Sequence, residues 1–150
     1  ARRASAFGMR VIAVDPVGNE LFLGNSATAA VSVYSRLADK NGRKPANSTS
    51  ILRSLAGSLT GIGSVQGVAI DPVHHELFVL DRSGAQILAF PQSAQGSVAP
   101  IRTIRGASTQ LDSSAGSMIL SADGTQLQVI SDSGAVLKFA RTASGDASPL

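Results

Sequence analysis

An all-β fold built from repeating four-stranded antiparallel units is predicted for this chain, on three observations. The sequence repeats itself along its length. Each copy divides into runs of four to six residues, β-branched or alternating, bounded by Gly, Pro, Asn, Asp and Ser. No stretch sustains a helical period. Short period-two or β-branched runs between turn formers mark strands, and their repetition marks a modular sheet protein.

The elements follow in order within each copy. The first strand is VIAVDPV at 11–17, which recurs as GVAIDPV at 67–73. The second is ELFL at 20–23, which recurs as ELFV at 76–79; both pairs are displaced by 56 residues. A third copy reads MILSADG at 118–124 and then QLQVI at 126–130. Asp71 to Asp123 is 52 residues, because the turn after Asp123 is two residues shorter. Asp-Pro and Asp-Gly join the first two strands as a tight turn. The third strand is VSVY at 31–34, QILAF at 86–90 and VLKF at 136–139. A polar loop then leads to Pro45, Pro100 or Pro149. The fourth strand is LRSLAG at 52–57 and IRTIRG at 101–106. Four short strands per repeat of about 50 residues describe a β-propeller blade. The predicted blades run over 9–57, 67–106 and 116–150, and residues 1–8 are a candidate outer strand completing another blade.

These residues carry a resemblance. The pattern G-V-A-[IV]-D-P-x-x-x-E-L-F-V, then V-x-V-[YF], then P-I-R-T-I-x-G, resembles the NHL-type β-propeller repeat of bacterial proteins. The resemblance spans nearly the whole chain and implies a six-bladed ring. The Arg that NHL repeats often carry ahead of the third strand is absent at 29–31, 85–87 and 135–137.

Composition bounds the chemistry. The chain has 150 residues, 43% hydrophobic and 15% charged, which fits one folded domain and excludes wholesale disorder. It has no Cys, so disulfides, thiolate metal sites, iron–sulfur clusters and Cys nucleophiles are excluded. No apolar run approaches the roughly 18 residues of a transmembrane helix. Net charge is +3. Arg2, Arg3 and Arg10 crowd the start, and Arg36, Lys40, Arg43, Lys44 and Arg53 crowd one segment opposed only by Asp39. This reads as a solvated basic face. Nucleic-acid binding usually adds stacking aromatics, and aromatics are only 4% here.

Three blades do not close a ring, and an open stack exposes sheet edges. Two readings follow. Two copies close a six-bladed ring, or the chain is a piece of a longer propeller. The chain begins with Ala1, not Met, which reads as a processed chain or an excised piece.

Candidate sites come from the turns. In an antiparallel meander, successive turns alternate ends. The turns after the second strands share one end with the loops that follow the fourth strands. By resemblance, propeller ligands bind at that end, around the channel. Asn25, Asp81 and Ser131 are equivalent there, with Arg82 and Asp132 beside them. Turn capping by the Asn and Asp side chains is the competing reading. Asp81, Asp132 and channel carbonyls are a candidate set for Ca²⁺, which takes oxygen ligands; no other cofactor is expected. His74 and His75 are adjacent and point apart, with no third ligand for zinc. Asp15 and Asp71 precede Pro in matched turns and read as turn formers. Asn47 opens a glycosylation sequon.

The expected function is a non-enzymatic binding or structural propeller module. Its expected partner is a protein, a second copy or further blades, and its expected location is secreted, periplasmic or on the cell surface. Two alternatives stand. One is a propeller enzyme of the metal-dependent lactonase or lyase type, whose site needs further blades. The other is an RNA-binding NHL propeller, which the scarcity of aromatics disfavours.

Overall fold

A computed structural model describes residues 9–36, 51–131 and 133–150. It shows three antiparallel sheets, each a meander in chain order. The first joins β1 (Met9–Asp15), β2 (Glu20–Asn25), β3 (Ala30–Ser35) and β4 (Arg53–Leu55). The middle sheet joins β5 (Val65–Asp71), β6 (Glu76–Asp81), β7 (Gln86–Pro91) and β8 (Arg102–Ile104). The third joins β9 (Ala115–Leu120), β10 (Gln126–Ser131) and β11 (Val136–Ala140). The architecture is a partial β-propeller with two four-stranded blades and one three-stranded blade. The third blade stops where its fourth strand would begin. The Leu150 N–H donates to the Lys138 carbonyl at 2.8 Å, just as Ile101 does to Ala89 ahead of β8.

The turns explain the repeat's spacing. Asp15 accepts from the Val17 N–H at 2.8 Å, and Asp71 accepts from Val73 and His74 at 3.0 and 3.1 Å. Each carboxylate closes its turn by imitating a backbone acceptor. Two short 3₁₀ turns lie in the loops between sheets, at Ser58–Thr60 and Ala107–Thr109. In each, a fully buried Thr donates to a glycine carbonyl at 2.7 Å, Thr60 to Gly57 and Thr109 to Gly106. Neither is visible as a helical period in the sequence, because a single 3₁₀ turn is too short to show one.

Strand alternation sends successive side chains to opposite faces. Phe22, Val31, Val33 and Leu55 of the first sheet therefore meet Val68, Ile70, Leu77, Val79, Leu88 and Phe90 of the middle sheet. The other face of the middle sheet offers Ala69, Phe78, Leu80, Ile87, Ala89 and Ile104 to Met118, Leu127, Val129 and Phe139 of the third. Every residue of β6 is buried. Full burial of each Phe contributes about 2–3 kcal/mol from apolar area alone. The loops after the third strands stitch neighbouring sheets together. Gly96 exchanges backbone bonds with Ser54 and Ala56, and Gly145 with Thr103 and Arg105. These contacts cover part of the outer edges of β4 and β8, which would otherwise invite pairing.

Candidate functional site

One end of the stack carries the turns at 15–20, 71–76 and 121–126, and a repeated ion-pair device sits there. Glu20 opens β2 and Arg53 opens β4, so both lie at the same end of the first sheet. Arg53 grips Glu20 bidentately at 2.6 and 2.7 Å and donates to the Gln92 carbonyl of the middle sheet at 3.1 Å. Its guanidinium also lies 5.6 Å from the centre of the Phe22 ring. Gln92 reaches back to Asp15 at 2.6 Å. The middle sheet repeats the arrangement. Arg102 grips Glu76 at 2.8 and 2.9 Å and donates to the Arg141 carbonyl at 3.4 Å. Arg141, at the position of Gln92, donates to Glu76 at 2.6 Å and lies 3.4 Å from Asp71.

These contacts set the ionisation of the site. Arg102 and, behind it, Arg141 hold Glu76 below its ordinary range against the opposing effect of burial. Burial pushes Asp71 upward, but the His74 backbone and ring and the Val73 N–H outweigh it, so Asp71 is lowered. Asp15 behaves alike: burial raises it, and the Gly18 N–H and Gln92 side chain bring it down.

Two clefts open between sheets at this end. One, of about 310 Å³, is lined by Asp71, His74, Ser121 and Asp123 among others. The second, of about 420 Å³, lies beside Glu20, Arg53, His75 and Gln92. The adjacent histidines thus serve different clefts. His74 Nδ1 is 2.7 Å from Asp71, which orients the ring as in an acid–base pair. The cleft lacks an aligned nucleophile. The Ser121 hydroxyl donates to Asp123 at 2.6 Å and accepts from the Gln126 N–H at 2.9 Å. That hydroxyl and two donors from Thr125 lower Asp123 to about 2. Among the described residues, no three His, Asp or Glu side chains converge to hold a metal ion.

The opposite end carries the residues singled out from the sequence. Asn25 is buried, and its Oδ1 accepts from the Ala27 and Thr28 N–H groups at 2.9 and 3.2 Å. Asp81 is buried and accepts from Gly63, Ser64 and Gly84 N–H groups at 3.0, 2.6 and 3.0 Å. Ser83 and Gln86 also donate to it, at 3.0 and 2.9 Å. Both carboxylate oxygens therefore accept hydrogen bonds from their own turn and from the loop ahead of β5. Arg82 is exposed and donates through Nε to the Ser113 carbonyl at 2.5 Å. Ser131 shares a 2.6 Å hydrogen bond with Ser133. Asp132 lies outside the described residues, as do residues 1–8 and the sequon at Asn47. Of the described residues singled out from the sequence, Arg82 is thus the exposed charge, while Asn25 and Asp81 shape the turns of this end.

The Glu–Arg forks escaped the sequence reading. In the sequence Arg53 stands in a basic segment opposed only by Asp39, yet in the fold Glu20 neutralises it across 33 residues. The signal was present: Glu20 and Glu76, and Arg53 and Arg102, occupy matched repeat positions.

No family model matches the chain, and no curated protein does. Solved structures do match, as β-propellers. A chain of hydrazine synthase from Kuenenia stuttgartiensis superposes with a TM-score of 0.67 at 16% identity, over 94% of this chain and 35% of that one. The WD40 β-propeller domain of Doa1 gives 0.62 at 16% identity, over 91% and 38%. A chain of a nidogen/laminin complex gives 0.59 at 16% identity, over 91% and 44%. The chain thus spans less than half the length of each of these. At such identities the likeness is one of fold.

Proposed function

We propose that the chain is a non-enzymatic protein-binding scaffold, a set of propeller blades that works in association with further protein surface. One observation carries the reading. Ile12 and Val14 on the first sheet are 60% and 47% exposed, and Ile119, Ile130 and Val136 on the third are 54%, 47% and 51% exposed. Their counterparts in the middle sheet are buried core residues. Apolar clusters left open to water on a folded protein mark interaction surfaces. The carboxylates add support: Glu20, Glu76, Asp15, Asp71 and Asp81 all hold structural hydrogen bonds. The resemblance to NHL repeats agrees with a ring of more blades than three. On this reading Arg82 and Ser131 face a protein partner at the channel end.

The test combines a thermal melt with an environment-sensitive apolar dye and native mass spectrometry. A cooperatively folded chain that either binds dye or self-associates supports the scaffold. A cooperatively folded species of 15.3 kDa that does neither overturns it.

A further inference from the structure

The two open ends of the stack differ, and strand register shows what each meets. The middle sheet faces back onto the first through Val68, Ile70, Leu77, Val79, Leu88 and Phe90. Register places Ile12, Val14, Leu21, Leu23, Ser32 and Tyr34 at those positions in the first sheet. Among the described residues, no sheet lies against this backward face. The middle sheet faces forward onto the third through residues that include Ala69, Leu80 and Ile87. Their counterparts on the third sheet are the exposed Ile119, Ile130 and Val136. Both internal joints set a forward face against a backward face. Among the described residues, each end of the stack therefore carries one unmatched half of the same joint.

A polar residue at the rim gives the joint a direction. The Arg36 N–H donates to the Asn19 carbonyl at 2.8 Å, as Gln92 does to His75 and Arg141 to Thr125, each also at 2.8 Å. These three residues share one repeat position. At the internal joints the side chain reaches onto the preceding sheet, Gln92 to Asp15 and Arg141 to Glu76 and Asp71. Arg36 has no described sheet before it; it is exposed and donates to Asn19 Oδ1 at 3.0 Å. On the third sheet the register places Ser121 and Gln126 at the positions of Asp71 and Glu76, so that turn has the same length as its counterpart and Asp123, which the sequence spacing aligns with Asp71, lies within it.

We infer that the backward face of the first sheet, with Arg36 at its rim, docks on the forward face of the third sheet of a second copy of this chain. The inference rests on the scaffold reading and names its partner. The faces are different surfaces, so the joint is heterologous and either closes into a ring or propagates. Gln128 and Lys138 stand where the middle sheet buries Phe78 and Ala89. The joint is therefore weaker than the internal two and dissociates on dilution. Arg36 finds neutral acceptors across it, where Arg141 finds two carboxylates.

The experiment is native mass spectrometry and sedimentation of the full chain over a dilution series. The expected species is twice 15.3 kDa, or a ladder of multiples, in reversible equilibrium with the single chain. Ile12→Lys places a charge in the contact and raises the dissociation constant about 100-fold. Gln126→Glu supplies Arg36 with the carboxylate that Arg141 already has. It tightens the joint about tenfold, in a salt-sensitive way, and adding Arg36→Gln removes the gain. A thermal melt of each variant confirms folding. If the wild type pairs but neither Ile12→Lys nor Gln126→Glu moves the constant, the joint lies elsewhere and this inference fails while the scaffold stands. A folded single chain at every concentration, Gln126→Glu included, also overturns the inference. The scaffold reading is then decided by its dye test.

Discussion

The middle and third sheets share a strand pattern but not an environment. Leu80 and Ile87 of the middle sheet are 0% and 1% exposed, while Ile130 and Val136 at the same register are 47% and 51% exposed. Phe78 becomes Gln128, Ala89 becomes Lys138, and the Glu76 that anchors two arginines becomes Gln126. The contrast separates two demands on a repeat. Backbone pairing needs only β-compatible residues and the right turns, and both sheets have them. Among the described residues, dense apolar packing and bidentate ion pairs appear where a neighbouring sheet excludes water.

The largest test of this contrast is a matched pair of truncations. Leu80→Ala removes buried methyl groups between two sheets and destabilises the chain by about 3 kcal/mol. Ile130→Ala, at the same register, destabilises the single chain by less than about 1 kcal/mol. Urea unfolding at low protein concentration reads both. If the end face is covered by another copy, the Ile130→Ala effect grows with protein concentration while that of Leu80→Ala does not. Equal effects at high dilution would erase the distinction between the sheets.

The ion pairs give the next largest effect. Glu76 serves Arg102 and Arg141 and is mostly buried, whereas Glu20 serves Arg53. Glu76→Gln leaves two half-buried guanidiniums without their anion and destabilises by about 2 kcal/mol, short of the full buried-pair value because water still reaches them. Glu20→Gln has the smaller effect. The pH dependence follows from the same groups. Glu76, Asp71 and Asp15 have lowered native pKa values, against ordinary values of 4.5, 3.8 and 3.8. Their stabilisation is complete above those ordinary values and is lost as pH falls through the lower native ones. Thermal midpoints therefore stay level from neutral pH to about 5 and fall below about 4. In Glu76→Gln the fall is shallower. A fall of undiminished steepness would show that Glu76 is not among the groups responsible.

The strands and the turns were legible in the sequence because each rests on local chemistry. VIAVDPV and GVAIDPV encode a strand and its Asp-closed turn within seven residues. The forks were not legible as pairs, because the 33 residues between Glu20 and Arg53 become adjacent only after β2, β3 and β4 have paired. At the candidate site, the sequence marked Asn25 and Asp81 but could not say how many donors would converge on them. Those donors include Gly63 and Ser64, which arrive from the loop ahead of β5. In the sequence Arg36 is one cation of a basic cluster. The repeat alignment puts it at the position of Gln92 and Arg141, but only the structure shows that those two side chains reach onto the preceding sheet.

The smallest expected effect concerns how the middle and third sheets are held at their outer edge. Gly145 bridges to Ile104 with a φ of 70°, and no atom lies within 4 Å of where a Cβ would stand. Gly145→Ala therefore meets no clash and reports backbone strain alone, about 1 kcal/mol. Gly145→Asn loses less, since Asn tolerates the left-handed region better than Ala. Differential scanning calorimetry orders the three proteins as glycine, asparagine, alanine. Hydrogen exchange then localises the change. Faster exchange at the Arg105 amide, which donates to the Gly145 carbonyl at 3.0 Å, shows that the stitch has loosened. Unchanged exchange there, with the stability loss intact, would place the strain elsewhere in the loop and leave apolar contact as the main bond between the two sheets.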